Sequence, residues 1–259
     1  MRHAVITGAA SGIGAAAARA LHERGYRITA IDLNDPGSAA DRWIEQDLGD
    51  PDTPLPVIDG PVDALINAAG LPPRAGLEPK ILSVNVLALR RVTRAVLPLM
   101  SEGGSIVNVA SKAGAKWREN IAQVRHLLAM PDDADLTAFV ADERIDPVRA
   151  YDLSKEAVIV WTKAATGDLI DRGIRMNAVS PAAVATPILD DFTRAFGERA
   201  TRGIEMTRRS GSPEEVAEVI AFLTSPASEW VRGCNIETDG GLTAMLETRD
   251  IIGPDVGTP

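Results

Sequence analysis

His3-Ala4-Val5-Ile6-Thr7-Gly8-Ala9-Ala10-Ser11-Gly12-Ile13-Gly14 is the stretch that decides how this chain is read. HAVIT, at 3–7, is short, apolar and rich in β-branched residues, as a buried strand requires. Gly8, Gly12 and Gly14 follow, and then AAAARALHERG, an alanine-rich helical segment with a C-cap at Gly25. Strand, glycine turn and helix in that order is the setting in which a glycine fingerprint carries chemistry. The glycines let the backbone turn tightly and approach a pyrophosphate, and the helix N-terminus adds N–H donors and partial positive charge. A glycine pattern alone is more often a tight loop; in this setting it points to dinucleotide binding.

Outward from that turn, RITAIDL forms a second strand that ends at Asp32. An acid about 20 residues past the glycine turn can accept hydrogen bonds from the adenosine ribose hydroxyls and repel a 2′-phosphate. The following NDPGSAAD holds no Lys or Arg to neutralise one, which favours NAD over NADP. The plainer alternative for Asp32 is an ordinary strand-end turn. Residues 33–46 are short for a crossover with a full helix, so about one helical turn is expected there. WIEQDL is a brief third strand ending at Asp47, and DPDTPLPVIDGP, with its prolines, holds no long helix. DALINAAG, at 63–70, is strand four. Its small end, Asn67-Ala68-Ala69-Gly70, suits a surface against a flat ligand, though a strand followed by a turn fits equally.

Residues 78–100 read as one long helix containing Val84-Asn85-Val86. A buried asparagine there is costly without partners, so Asn85 is expected to have a task. Gly103-Gly104 leads into strand five, SIVNVAS, ending at Ser111. Short apolar strands separated by helices or crossovers indicate an α/β protein, a single doubly wound parallel sheet (Rossmann-like) of about seven strands with helices on both faces. We take 1–259 as one domain.

Helical periodicity in WRENIAQVRHLLAM and LTAFVADE, with PDDAD between, makes 112–150 a helical insertion. It could be a surface decoration, a wall over the active site, or a block on one oligomer face. Next comes Tyr151-Asp152-Leu153-Ser154-Lys155, followed by the apolar AVIVWTKAA. At this spacing a phenol and an ammonium leave one helix face a turn apart. A nearby cation favours the phenolate and lowers the tyrosine pKa from about 10, which suits proton transfer at an alcohol oxygen. By spacing alone such a pair is more often structural. RMNAVS is strand six, and 184–209 reads as a mobile substrate lid. A helix from Pro213 to Leu223 and strand seven, CNIETDGG, precede a short tail.

Composition excludes several classes. The 259 residues are 45% hydrophobic and 24% charged, as in a globular domain. A net charge of −9 argues against nonspecific nucleic-acid or anionic-membrane binding. No uninterrupted apolar run is long enough to span a bilayer, and residues 1–20 lack a signal core. A single cysteine, Cys234, fits a reducing, cytoplasmic compartment and is expected to be buried and inert. With three histidines beside it, a metal site is not expected.

Taken together, TGAASGIG at 7–14, Asp32, Asp47, NAAG at 67–70, Asn85, Ser111, the Tyr151…Lys155 pair and PAAVATP at 181–187 resemble the short-chain dehydrogenase/reductase family. The resemblance covers essentially the whole chain. The long gap between Ser111 and Tyr151 is similar to that of bacterial 3α-hydroxysteroid dehydrogenases and coniferyl-alcohol dehydrogenases, and GAKWRENIAQ, SKEAVIVW and ATPILDDF look most similar to the latter. Ala182 departs from the family's usual glycine, and the crossovers in 33–62 are shortened.

The resemblance implies hydride transfer between an alcohol carbon and the nicotinamide. Tyr151 would transfer the proton, Lys155 would lower its pKa and hold the nicotinamide ribose, and Ser111 would hydrogen-bond the substrate oxygen. Asn85 would hold a water in a proton relay toward Lys155. Cofactor contacts are implied at Gly8, Ser11, Gly12, Ile13 and Gly14 in the turn, and at Asp32, Leu33, Asp47 and Leu48 on the adenosine side. They continue at Asn67, Ala68 and Gly70, and at Pro181, Val184 and Thr186 near the nicotinamide, with Tyr151 and Lys155 completing the set. The implied function is NAD-dependent oxidation of a bulky ring-bearing alcohol, coniferyl-alcohol-like. Alternatives are a 3α-hydroxysteroid dehydrogenase/carbonyl reductase, or a regulatory protein that binds NAD without chemistry. Family analogy implies a homodimer or homotetramer and a small-molecule substrate, with no nucleic-acid or membrane partner.

Overall fold

The computed structural model describes residues 1–55 and 57–252. Seven parallel strands form one sheet in the order β3-β2-β1-β4-β5-β6-β7. They are β1 (Arg2–Thr7), β2 (Tyr26–Asp32), β3 (Arg42–Glu45), β4 (Val62–Asn67), β5 (Met100–Val109), β6 (Arg175–Pro181) and β7 (Asn235–Thr238). The strand order reverses between β1 and β4, the place where ligands bind in such sheets. The expected doubly wound α/β architecture is therefore the observed one.

One face is covered by α1 (Gly12–Glu23) and α10 (Pro213–Thr224). The alanines of α1 let it lie close to α10 and the sheet, where Ala16, Ala17, Leu21, Val216 and Ile220 are buried with Ile6 and Ile28. Ser212 and Glu215 form a reciprocal capping box that fixes where α10 starts. The opposite face carries α2 (Glu78–Leu82), α3 (Leu89–Val96), α6 (Pro147–Ala164) and the short α7 (Thr166–Ile170). Val92, Val96, Ile106 and Met176 fill the layer beneath them. The crossover between β2 and β3 holds only a 3₁₀ turn at Gly37–Ala39, as its length predicts.

Element ends depart from the sequence reading in several places. The segment 78–100 is not one regular helix: a π turn over Ser83–Ala88 interrupts it, and its last residue already belongs to β5. β5 begins at Met100 because Met100 pairs with Val62 ahead of a register shift, in which β5 runs on to Ser105 while β4 reaches Ala64, and it ends at Val109, two residues before Ser111. β3 ends at Glu45 rather than Asp47, and β4 at Asn67 rather than Gly70. The expected tail is instead helix α11 (Leu242–Ile252); 253–259 and Pro56 lie outside the described residues. Cys234 is exposed, not buried, because it precedes the edge strand β7.

The insertion folds as a 3₁₀ turn over Lys112–Lys116, α4 (Ile121–Ala129) and α5 (Thr137–Asp142). Val124, Leu127 and Phe139 bury themselves with Leu153 and Ala157 of α6. Arg149 of α6 meets Glu156 at 2.6 Å, Asn120 donates to Glu156 at 2.7 Å, and Arg149 donates to Gln123 at 2.7 Å. The segment 184–209 forms α8 (Leu189–Phe196) and α9 (Glu198–Thr207). No helix among the described residues is long and apolar enough to cross a membrane.

Candidate active site

A cleft of about 1260 Å³ opens at the carboxyl ends of the strands. The glycine turn forms its floor and is held by very close approaches. Gly8 has φ +70°, and a Cβ on it would lie 2.6 Å from the Ala69 nitrogen. A Cβ on Gly14 would lie 2.0 Å from the Gly8 carbonyl oxygen. These two positions admit no side chain, so the turn can press against the β4 end. Ser11, Gly12, Ile13 and Gly14 line the floor that results.

Asp32 stands at the end of β2 with one oxygen accepting from Ala10 N at 3.0 Å and the other from Asn34 N at 2.9 Å. Its carboxylate thus braces the glycine turn and still borders the cleft, together with Leu33, Asp47 and Leu48. Ala68 and Gly70 line the next stretch. A Cβ at Gly70 would sit 3.2 Å from Asn85 Oδ1 and 3.7 Å from Lys155 Nζ, so its glycine leaves open the space in front of that lysine. Pro181, Val184 and Thr186 close the far side. A cleft with a glycine-rich floor, lined by both an acid and a lysine, fits a nicotinamide dinucleotide.

One expected residue sits elsewhere. Asn67 does not line the cleft: it is buried and donates to Thr93 Oγ1 at 3.0 Å and to Asn108 Oδ1 at 2.8 Å. As the last residue of β4 it points into the layer under α3, where both bonds are made by its amide nitrogen and its Oδ1 has no partner among the described residues. Asn85 lies just behind the lining, with its Oδ1 beside the space that Gly70 leaves open in front of Lys155. Its amide accepts from Leu71 N at 2.7 Å and donates to Leu71 O at 3.1 Å and Ser154 Oγ at 3.1 Å. The π turn that carries Asn85 thereby clamps the loop after β4 to the helix bearing Tyr151.

Helix α6 starts where it does because Asp146 caps it, accepting from Arg149 N at 2.7 Å, and because Pro147 occupies its first turn. Tyr151 and Lys155 then leave one face toward the cleft, with 7% and 6% of their surfaces exposed. Lys155 donates to Val109 O at 2.9 Å and lies 5.5 Å from the centre of the Tyr151 ring. Ser111, extended after β5, accepts from Ala113 N at 3.2 Å and faces the same space.

The protonation balance differs from the simple Tyr/Lys expectation. Burial pushes the Tyr151 phenol above its ordinary value, and a hydrogen bond from the Ser111 side offsets only part of this. Burial also lowers Lys155 to about 8. Burial is the largest cause of both shifts, and it acts against the charged form of each group.

The residues that shut them in were not singled out from sequence. Phe192 packs edge-on to Tyr151 at 4.9 Å between ring centres, and Phe196 at 6.0 Å. The two phenylalanines, at i and i+4 of α8, stack parallel to each other. Arg199 donates to Asp152 at 2.8 Å, and Arg74 meets Asp191 at 2.6 Å, fastening α9 and α8 over the cleft. Burial raises the Asp152 carboxyl, with Arg199 opposing that shift. Leu242, Leu246 and Arg249 of α11 also line the cleft. The spacing of Phe192 and Phe196 was a readable sign; the return of α11 was not. No group of His, Cys, Asp and Glu among the described residues could hold a metal ion.

The chain matches the family described as enoyl-(acyl carrier protein) reductase over residues 8–125 and 135–243. It is 35% identical to the coniferyl-alcohol dehydrogenase of Pseudomonas sp. (strain HR199 / DSM 7063), over 93% of this chain and 96% of that protein. It is 31% identical to the 3-alpha-hydroxysteroid dehydrogenase/carbonyl reductase of Comamonas testosteroni, over 93% and 96%. Among solved structures, the 3-alpha-hydroxysteroid dehydrogenase of Pseudomonas sp. B-0831 complexed with NADH superposes with a TM-score of 0.81 at 28% identity, covering 95% of this chain and 99% of that one.

Proposed function

The chain belongs to the short-chain dehydrogenase/reductase family, and from that premise we propose that it is an NAD-dependent dehydrogenase of a bulky ring-bearing alcohol, coniferyl-alcohol-like. The coarser statement, an oxidoreductase working between alcohols and carbonyls with a nicotinamide cofactor, follows from the family. The observation that carries the finer one is the aromatic wall. Phe192 and Phe196 stand against Tyr151 where a substrate oxygen would meet the phenol, and a flat ring is what such a wall accommodates. The similarity to a coniferyl-alcohol dehydrogenase supports the same class.

Glycine-turn residues Gly8, Ser11, Gly12, Ile13 and Gly14 would hold the cofactor's pyrophosphate, and Asp32 its adenosine ribose. Leu33, Asp47 and Leu48 would border the adenine, with Ala68, Gly70, Pro181, Val184 and Thr186 along the remainder. The cofactor, when bound, supplies the hydride acceptor or donor. Tyr151 takes the proton from the alcohol oxygen, or returns it to the carbonyl oxygen. Ser111 hydrogen-bonds that same oxygen and stabilises the charge growing on it. Lys155, a cation at pH 7, balances negative charge on the phenol oxygen and reaches the nicotinamide ribose. Asn85 fixes the Leu71 backbone and, through Ser154, the turn of α6 beneath Tyr151.

Asp32 supports NAD over NADP, since an added phosphate would meet a carboxylate already braced by two backbone donors. A second reading, a 3α-hydroxysteroid dehydrogenase/carbonyl reductase, is favoured by the structural likeness at TM-score 0.81. A cytoplasmic location rests on the cysteine count, and a homodimer or homotetramer on family analogy, which sedimentation tests. Coniferyl alcohol and a 3α-hydroxysteroid, each mixed with NAD or NADP, decide the assignment through growth of the reduced-nicotinamide absorbance. The proposal expects the aromatic alcohol with NAD to be fastest. Preference for the steroid or for NADP overturns the corresponding part.

A further inference from the structure

Two helices of the cleft present mixed faces. On α9, Arg199, Arg202, Gly203 and Met206 line the cleft at the i, i+3, i+4, i+7 spacing of one helical face. On α11, Leu242, Leu246 and Arg249 do the same at i, i+4, i+7. The faces meet: a Cβ at Gly203 would lie 3.3 Å from Leu242 Cδ2. Leucine and methionine thus build an apolar wall, and arginines stud it at helical intervals.

Those arginines stand out in a chain of net charge −9. Arg199 is committed to Asp152 at 2.8 Å. Arg202 and Arg249 form no ion pair among the described residues. Lys112, beside Ser111, also lines the cleft, as do Lys80, Lys116 and Lys155, while Glu198 is the acid on α9 that borders it. Glu198 sits in the first turn of its helix, where the helix dipole already favours a carboxylate.

Position gives these charges a meaning. Arg199 reaches the residue next to Tyr151, so it marks the reacting end. Arg202 lies one turn farther along α9, about 4.5 Å by the helical rise. We propose that Arg202 and Arg249 form an anion-selecting rim, which reads a carboxylate at the end of a ring-bearing substrate remote from its hydroxyl. This rests on the ring-alcohol reading above for the orientation of the substrate, though not for the presence of an anion site. A planar guanidinium matches a carboxylate in a way a neutral amide does not.

Binding of para-toluate and of para-toluamide, neither of which can react, tests the rim. Calorimetry is done on the whole protein with and without saturating NADH. The acid should bind roughly tenfold tighter than the amide, as one charge-assisted contact allows. Replacing Arg202→Gln and Arg249→Gln together should reduce that preference to about twofold or less. Amide affinity and NADH affinity should not change. Equal binding of acid and amide by the unaltered protein overturns the proposal. So does a loss of NADH affinity in the double variant, which would assign these arginines to the cofactor's phosphates. Turnover of para-(hydroxymethyl)benzoate against its amide is a separate measurement. If neither alcohol reacts, the dehydrogenase reading fails, while the binding comparison still decides the rim.

Discussion

Lys155→Met separates what the cleft costs the fold from what it gives the chemistry. Lys155 is 6% exposed and makes one hydrogen bond, to Val109 O at 2.9 Å. Burial takes its pKa from 10.5 to about 8. A cationic group whose folded pKa is lowered is one whose charged form the fold disfavours. Between about pH 8 and 10.5 the unfolded chain keeps the proton that the folded chain has released, so stability rises with pH across that window. Below about pH 8 the fold bears the whole cost. At about 1.4 kcal/mol per pH unit, that cost is on the order of 3 kcal/mol. Methionine removes the charge at similar length but leaves Val109 O without this donor, a loss of about 1–2 kcal/mol. The net expectation at pH 7 is a variant about 1–2 kcal/mol more stable, melting roughly 2–6 °C higher. Melting curves from pH 7 to pH 10 should show the unaltered protein catching up with the variant as pH rises. A variant less stable at pH 7, with the same slope against pH, would refute the claim that a buried cation is being held against its solvation.

Four further outcomes follow from the same geometry. Tyr151→Phe should lower turnover by about 10²–10⁴, the worth of one general acid–base group, while NADH affinity by fluorescence is unchanged; comparable turnover would remove Tyr151 from the reaction. Because burial raises that phenol, alcohol oxidation should quicken with rising pH through the alkaline range and carbonyl reduction should slow; pH profiles that coincide in direction contradict this. Gly14→Ala places a Cβ 2.0 Å from a backbone carbonyl, so soluble yield and melting temperature should both fall sharply, and an unchanged melt would show that the turn can move. Asp146→Ala removes the cap of α6 and should cost about 1 kcal/mol, read as a melting temperature lower by roughly 2–4 °C.

How much was legible depended on whether the cause was local. The β1–α1 unit could be read because a five-residue strand, a glycine turn and an alanine helix each carry their own signal. The same holds for the one-turn crossover at 37–39, where length alone forbids more. The start of β5 at Met100 could not be read, since it depends on pairing with Val62, a partner 38 residues earlier. Asn67 looked like a cleft residue because its neighbours are small, but the pleat turns its side chain toward Thr93 and Asn108. Cys234 was assigned to the core by its type, whereas its place beside an edge strand decided otherwise. The Tyr151/Lys155 spacing reveals the lysine and conceals the two rings packed against the phenol, whose burial pushes it upward.

The helix that carries Tyr151 and Lys155 is held from two sides, and the two holds differ in kind. On one side α4 and α5 bury Val124, Leu127 and Phe139 against it, and Glu156, 1% exposed, pairs with Arg149 and accepts from Asn120. Removing a partner from such a buried carboxylate costs several kcal/mol, about 3–5 by the usual measure, so this contact does not open in a catalytic cycle. On the other side α8 and α9 bury no residue fully, and exposed or half-exposed ion pairs and two phenylalanine rings are what hold them down. Contacts of that kind, weak singly and reached by water, mark the part of a structure that opens first. The insertion supplies none of the cleft lining beyond Lys112–Lys116; its helices pack against α6 instead. Under the proposed function, a fixed Tyr151 beneath a loosely fastened aromatic cover would let a ring-bearing substrate enter by moving the cover alone, without disturbing the distance from the phenol to Lys155 and Ser111 on which the proposed proton transfer depends.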